Sequence, residues 1–311
     1  MGSFWKGRTI LVTGSSGFVG SYLTKTLLKK GADVVGISGK GKNFRQEFEG
    51  DVTDYKFLEK IFNKFKIDTC FHLAAHSLVE GGLGNPLATF SVNIKGTWNI
   101  LEVCRRSNIR KIIIASTAHV YGDNKKLPYK ENYCLMPTRP YETSKVCADL
   151  IAQTYANTYG LPVEIPRFVN IYGPGDLNFS RIIPRTIKAV LENKNVKIWG
   201  GESVREYLYI DDAISAYLLL AQKQPTSDKQ ERIFNFGSGK PINVVKLANK
   251  IIELSGRHLR VEIEPAVRKG EIKSQYVSSE KAAKLLGWRP KFSLEEGLKK
   301  TLSWYADYFT R

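Results

Sequence analysis

The sequence has no apolar stretch approaching the ~18–20 residues that a membrane span requires. Its first residues, Met1 to Gly14, lack the long apolar block and small-residue cleavage site of a secretory leader, so a cytoplasmic location is expected. Cysteine is scarce. The four present, Cys70, Cys104, Cys134 and Cys147, form no CxxC pair, and HxH and HExxH spacings are missing too. Neither a disulfide framework nor a metal site is expected, and the cysteines read as reduced. Acids are also few: 30 Asp and Glu face 47 Lys and Arg, a formal net charge of +17. Yet runs of five or six like charges are absent, and the excess is spread, +9 over residues 1–160 and +8 over the remainder. That distribution describes a basic surface and not a solvated interaction arm. With 42% hydrophobic and 25% charged residues in 311, disorder, collagen and coiled coil are excluded and a sizeable core is affordable. No internal repeat or low-complexity tract interrupts the chain.

What is present is an alternation of short apolar strands with amphipathic helices. RTILVT, GSSGFVG, SYLTKTLLKKG and ADVVGIS read as strand, glycine-rich turn, helix and strand. The pattern continues through TCFHLAA (69–75), a helix near 93–107 and KIIIAST (111–117). Strands that are apolar throughout suit a parallel sheet buried on both faces, and the alternation predicts a doubly wound α/β domain. A helix is expected from Tyr141 to Gly160, then a strand at 163–169. Beyond Asn170 the texture changes to loops with Gly and Pro and shorter elements, which predicts a smaller second α/β domain. Residues 206–222 read as a strand end and a buried helix that returns to the first domain. The expected division is 1–168 with 206–235 returning, against 169–205 and 236–311.

Gly14, Gly17 and Gly20 follow the first strand directly and open the first helix. Glycines there permit a tight turn and close approach of backbone N–H groups to a pyrophosphate at the positive helix end. The second strand ends Gly36-Ile37-Ser38-Gly39-Lys40 without the carboxylate that accepts the adenosine ribose hydroxyls of NAD, and Lys42 and Arg45 follow. A hydroxyl with nearby cations leans towards NADP; a solvated basic loop is the plainer reading. Further on, Tyr141 and Lys145 are four residues apart on a helix and share a face. A cation beside a phenol favours phenolate and lowers its pKa from ~10, making the tyrosine a general base.

GSSGFVG, GDVTD, HLAA, NIKGTWNILE, STAHVYG, PYETSK, RFVNIYGPG, VREYLYIDD, FNFGSG and LGWRP, spread over nearly the whole chain, resemble the extended short-chain dehydrogenase/reductases, the nucleotide-sugar epimerase/dehydratase family. The resemblance implies a Rossmann-type fold, a tightly retained NAD(P) and catalysis by Thr117, Tyr141 and Lys145. Tyr141 would take a proton from a sugar hydroxyl, Thr117 would hydrogen-bond the same oxygen, and Lys145 would also bind the nicotinamide ribose. Cofactor contacts would come from Gly14, Gly17, Phe18, Val19, Gly20, Ser38, Lys40, Asp51, Val52, Leu73, Ala74, Ala75, Asn93 and Phe168. Substrate contacts would come from His76, Thr117, Asn170, Arg181, Arg205 and Arg268, the arginines suiting a diphosphate. Arg268-Lys269-Gly270-Glu271 departs from the family's Arg-x-Gly-Asp. The helices beginning near Asn93 and Tyr141 resemble a pair that forms a homodimer interface in the family.

The fate of a 4-keto sugar rests on the two residues after Thr117. In 4,6-dehydratases these commonly supply an acid and a base; here they are Ala118 and His119. Ala118 transfers no proton, whereas C4 epimerisation of a nucleotide hexose needs only the residues present, and this is the leading reading. A 4,6-dehydratase using His119 is the alternative, since Phe4-Trp5-Lys6-Gly7 and Gly173-Pro174-Gly175-Asp176 with Arg181-Ile182-Ile183-Pro184 resemble the CDP-glucose branch. An NADPH-dependent 4-keto-sugar reductase and a non-catalytic RNA- or cofactor-binding module complete the alternatives; the intact Thr117, Tyr141 and Lys145 argue against the last. His72 reads as a buried hydrogen-bonded residue.

Overall fold

The computed structural model describes residues 4–39, 44–77, 84–224, 229–265 and 272–310. In chain order it contains β1 (Thr9–Thr13), α1 (Phe18–Lys29), β2 (Asp33–Ser38), β3 (Glu47–Glu49), α2 (Tyr55–Lys64), β4 (Thr69–His72), α3 (Pro86–Phe90), a π-helical turn (Ser91–Lys95) and α4 (Gly96–Arg105). There follow β5 (Lys111–Ile114), β6 (Ser116–Thr117), α5 (Pro140–Tyr159), β7 (Val163–Phe168), β8 (Asn170–Tyr172), α6 (Ile182–Leu191), β9 (Val196–Trp199), β10 (Val204–Arg205) and β11 (Tyr207–Tyr209). The chain ends with α7 (Ile210–Gln222), β12 (Ile233–Phe236), β13 (Ile242–Asn243), α8 (Val244–Ser255), β14 (Val261–Glu264), β15 (Ser274–Gln275), α9 (Glu280–Leu286) and α10 (Leu294–Phe309).

The main sheet runs β12-β7-β5-β4-β1-β2-β3, with β6 paired to β7. The ladders from β3 through β2, β1, β4 and β5 to β7 are all parallel. This is the doubly wound order expected from the apolar strands, with the turn between β1 and α1 at the carboxyl ends where ligands of such sheets bind. The core explains the sequence texture: Leu11, Val35, Ile37, Cys70, Ile112 and Ile114 pack with Leu58, Leu101 and Cys104 from the helices. The long helix α5 begins with Pro140 at its first position, where a missing N–H costs nothing, and stops at Gly160 with φ 69°.

Two compact units divide the chain: residues 1–122, 131–167 and 214–234 form one, and 123–130, 168–213 and 235–311 the other. The stretch returning to the first unit therefore starts at Ile214, inside α7, and not at 206. Residues 206–213 are held in the second unit by their own bonds: the Glu206 carboxylate accepts from the N–H of Gly239 (2.5 Å) and Val277 (2.9 Å). Asp212 accepts from the N–H of Lys291 and Phe292. Residues 123–130 join that unit because the Tyr129 N–H donates to the Tyr276 carbonyl at 2.9 Å. Small ladders build the second unit: β8 parallel to β11, β9 parallel to β14, and β10 between β13 and β15. Among the described residues no helix is long and apolar enough to cross a membrane, and all four cysteines are free, Cys70 and Cys104 buried.

Candidate active site

The glycine-rich turn rests on the end of β2. The N–H groups of Gly14 and Ser15 both donate to the Ile37 carbonyl, at 2.7 and 3.3 Å. Gly14 has φ 72°, and a Cβ on it would stand 2.9 Å from the Ala74 nitrogen; one on Gly20 would collide with the Gly14 carbonyl oxygen. These two glycines are therefore demanded by packing as well as by any ligand. The 12-residue helix α1 starts at Gly17 with no side-chain cap and no acid in its first turn. The N–H groups of Phe18, Val19 and Gly20 thus present a positive helix end, and this donor set fits the pyrophosphate of a dinucleotide.

Other positions expected to meet a cofactor take up distinct places. Asp51 is exposed and caps the Thr53 N–H at 2.8 Å, whereas Val52 is buried against Gly96, where a Cβ would meet Val52 Cγ2 at 2.6 Å. Leu73, Ala74 and Ala75 are half-buried past the end of β4, and Ser38 is buried at the end of β2. Phe168 turns inward and stacks on Phe236 with centroids 5.1 Å apart. Lys40, Lys42, Arg268 and Glu271 lie outside the described residues.

Thr117, His119, Tyr141 and Lys145 belong to one unit. Thr117, at the end of β6, caps a 3-10 turn over Ala118–Tyr121 by accepting from the His119 N–H at 3.3 Å. The His119 ring stands edge-on to Tyr141 with centroids 6.1 Å apart, while Ala118 is buried. One turn along α5 from Tyr141, the buried Lys145 donates to the Ala115 carbonyl at 2.5 Å. Burial lowers its pKa to about 8, against the opposing attraction of Asp149. A lysine poised in this way holds its charge at neutral pH with little to spare.

Asn93 lies in the π-helical turn, a device that re-aims side chains at functional sites. Its side-chain oxygen Oδ1 accepts from the His76 N–H (2.7 Å), and its side-chain amide nitrogen donates to the His76 carbonyl (3.2 Å) and to the Ser144 hydroxyl (2.8 Å). Ser144 in turn donates to the Tyr141 carbonyl at 2.7 Å, so Asn93 connects the segment after β4 to the start of α5. The His76 ring bonds the Thr89 hydroxyl at 2.9 Å. His72 is structural, as expected: it is buried between the hydroxyls of Thr13 (2.8 Å) and Thr97 (3.2 Å). Burial first and the Lys145 charge second lower its pKa to about 3, so it is neutral. Because the Thr97 hydroxyl donates to the Asn93 carbonyl, the network assigns the His72 proton to Nε2.

Behind these residues stands a group absent from the site expected on sequence. Asp149 receives a bidentate pair from Arg167 (2.8 and 3.1 Å), the Ser116 hydroxyl (3.0 Å) and Gln153 (2.7 Å). Arg167 also reaches the Tyr121 hydroxyl at 2.9 Å. Since Ser116 precedes Thr117 and Asp149 follows Lys145 by one turn, this buried ion pair sets β6 against α5. The i, i+4 spacing of Lys145 and Asp149 is the sequence signal that would have found it.

In the second unit Asn170 donates its amide to the Glu206 carbonyl at 3.1 Å, and Arg205 donates to the carbonyls of Val204 (2.9 Å) and Lys273 (3.2 Å). Arg181 pairs with Asp176 at 3.0 Å. All three are engaged within their own unit.

Comparison with known proteins agrees with this architecture. A family model described as the NAD dependent epimerase/dehydratase family matches residues 10–237. A UDP-glucuronate 4-epimerase of Thermodesulfobacterium geofontis is 33% identical over 94% of this chain and 95% of its own. A human dTDP-D-glucose 4,6-dehydratase is 29% identical over 97% and 91%. The crystal structure of a UDP-glucose 4-epimerase from Thermotoga maritima with UDP-glucose superposes with a TM-score of 0.91 at 32% identity, covering 97% of this chain and all of that one. With a glycine-rich turn on a doubly wound sheet and a threonine, tyrosine and lysine in one unit, the chain belongs to the NAD dependent epimerase/dehydratase family of enzymes.

Proposed function

We propose that the enzyme epimerises a nucleotide hexose at C4 through a transient 4-keto sugar. The observation that carries this reading is the setting of Thr117: the residue after it is a buried alanine, which moves no proton, and Tyr141 and Lys145 of the same unit suffice for epimerisation without His119. When bound, NAD supplies the acceptor and later the donor of the C4 hydrogen. Tyr141 withdraws the 4-hydroxyl proton, and Lys145 favours the phenolate by its charge. Thr117, fixed as the cap of its turn, donates a hydrogen bond to the same sugar oxygen. Once the ketose has turned over, the C4 hydrogen returns as hydride to its opposite face while Tyr141 gives its proton back to the 4-oxygen, which completes epimerisation with no further acid or base. His76 lines the sugar site, and Asn170, Arg181, Arg205 and Arg268 are the residues expected to hold the diphosphate; planar guanidinium groups suit that task. The names of the relatives point the same way, since both UDP-glucuronate and UDP-glucose 4-epimerases are among them.

The edge-on approach of His119 to Tyr141 favours one second reading, a 4,6-dehydratase in which His119 moves the C5 proton. Incubation of the purified enzyme with UDP-, CDP- and GDP-hexoses and with UDP-glucuronate, followed by NMR of the products, separates the two. A C4 epimer is expected; a 4-keto-6-deoxy product without epimer overturns the proposal. Tyr141→Phe is expected to lower kcat by ~10²–10⁴ while leaving NAD binding intact. His119→Ala is expected to retain epimerisation.

A further inference from the structure

A buried polar cluster under the glycine-rich turn has no part in the chemistry above. It consists of Ser15 in the turn, Ser38 at the end of β2 and Glu47 at the start of β3, all at most 3% exposed. The Ser15 hydroxyl donates to Glu47 Oε1 at 2.5 Å. β2 and β3 are parallel with Gly36 opposite Glu47 and Ser38 opposite Glu49. Partners in register share a face and side chains alternate along a strand, so Gly36, Ser38 and Glu47 lie on the face that the turn covers. Glycine at position 36 makes room for the Phe44 ring and for the cluster: a Cβ there would collide with Phe44 Cζ and stand 2.7 Å from the Ser15 hydroxyl.

A carboxylate is expensive to bury, and this one lies directly beneath a turn whose donors suit phosphates. In dinucleotide-binding folds a negative charge at the end of β2 accepts the ribose hydroxyls and repels a 2′-phosphate. Here β2 carries no acid after Asp33 and ends in Ser38. We propose that Glu47 sets the cofactor preference, supplying from β3 the negative charge that β2 lacks, so that the turn accepts the free ribose diol of NAD and rejects the 2′-phosphate of NADP. Ser38 is the group placed to meet the ribose, with Glu47 behind it. The nearby Arg45, which by itself favours a 2′-phosphate, is exposed and screened by solvent, whereas the buried carboxylate is not. This assignment rests on the dinucleotide-binding reading of the turn and reverses the lean towards NADP drawn from the basic loop.

The test is binding, so it stands apart from which sugar is turned over. Cofactor-stripped enzyme is titrated with NAD+ and with NADP+ by calorimetry, and the ratio of the two Kd values is compared between wild type, Glu47→Gln and Ser15→Ala. Wild type is expected to prefer NAD+ by about tenfold or more. Glu47→Gln is expected to bring the ratio to within about threefold, chiefly by tighter NADP+ binding, and Ser15→Ala, which keeps the carboxylate, to preserve it. Equal or tighter NADP+ binding by wild type overturns the proposal, as does a Glu47→Gln variant that weakens both cofactors in the same proportion, the behaviour of a mere tether for the turn. Should Glu47→Gln fail to fold, AMP and 2′,5′-ADP compete for the wild-type site, and stronger binding of the latter overturns it equally. Binding of neither dinucleotide sinks the dinucleotide reading itself.

Discussion

At Lys145, burial and an ion pair pull in opposite directions. Removal from water lowers the ammonium pKa to about 8 from 10.5, and Asp149 opposes that fall. Because the cation is what favours the Tyr141 phenolate in the proposed reaction, kcat/KM is expected to fall on an alkaline limb with an apparent pKa near 8. Asp149→Asn removes the opposing charge, so its limb is expected at lower pH than the wild type's; an unmoved limb would show that Asp149 does not act through Lys145. The same change leaves the Arg167 guanidinium buried without its carboxylate, at a stability cost of ~3–5 kcal/mol measured by urea unfolding. Asp149→Glu, which retains the charge, is expected to move the limb less. Tyr141 and Lys145 were legible because the residues that define their chemistry are four apart on one helix. Glu47 was not, because Ser15 lies 32 residues away in sequence and no local pattern announces a carboxylate delivered across strands.

The elements were legible to the extent that period and punctuation describe them. Gly14 between an apolar strand and a helix, and Gly160 at the end of α5, mark real left-handed positions with φ of 72° and 69°. The helix expected near 93 begins earlier, as α3 and the π-helical turn, because one wide turn scarcely disturbs an apolar stripe while it re-aims Asn93. KIIIAST likewise divides into β5 and β6 at Ala115, whose carbonyl takes the Lys145 bond. In the second unit the short ladders depend on partners distant in sequence, such as Val204 with Ser274, and no local signal reveals them. The turn between β1 and α1 permits a graded test. Alanine at Gly20 drives its methyl into the Gly14 carbonyl, whereas at Gly17 the nearest atom, that same oxygen, is 3.2 Å away. Gly20→Ala is therefore expected to cost ~1–3 kcal/mol in urea unfolding and to weaken NAD binding. Gly17→Ala is expected to cost less; equal effects would mean that the turn yields as a whole.

Over the whole molecule, assigned cations account for few of the 17 excess positive charges. Described ion pairs such as Lys125 with Asp123 and Lys194 with Glu192 are largely exposed, and pairs of that kind contribute little stability. An excess of one sign repels itself, and salt screens the repulsion over a Debye length of ~8 Å at physiological ionic strength. Stability at pH 7 is therefore expected to rise when NaCl is increased from low to moderate concentration, as read by urea unfolding. Acid strengthens the repulsion by neutralising carboxylates, and His72 adds a second cause with a defined window. The unfolded chain protonates His72 near 6.5, whereas in the native chain it stays neutral to about 3. The unfolded state thus binds more protons between those values, so stability is full above pH 6.5 and declines as pH falls towards 3. Fully developed, this single group contributes roughly 5 kcal/mol of that decline. Salt screens the surface repulsion but not a buried ring, so added NaCl is expected to lower the acid-unfolding midpoint without abolishing the decline. His72→Gln is expected to flatten it between pH 6 and 4 at either salt concentration. A variant that retains the wild-type slope would place the acid sensitivity in the surface charge alone.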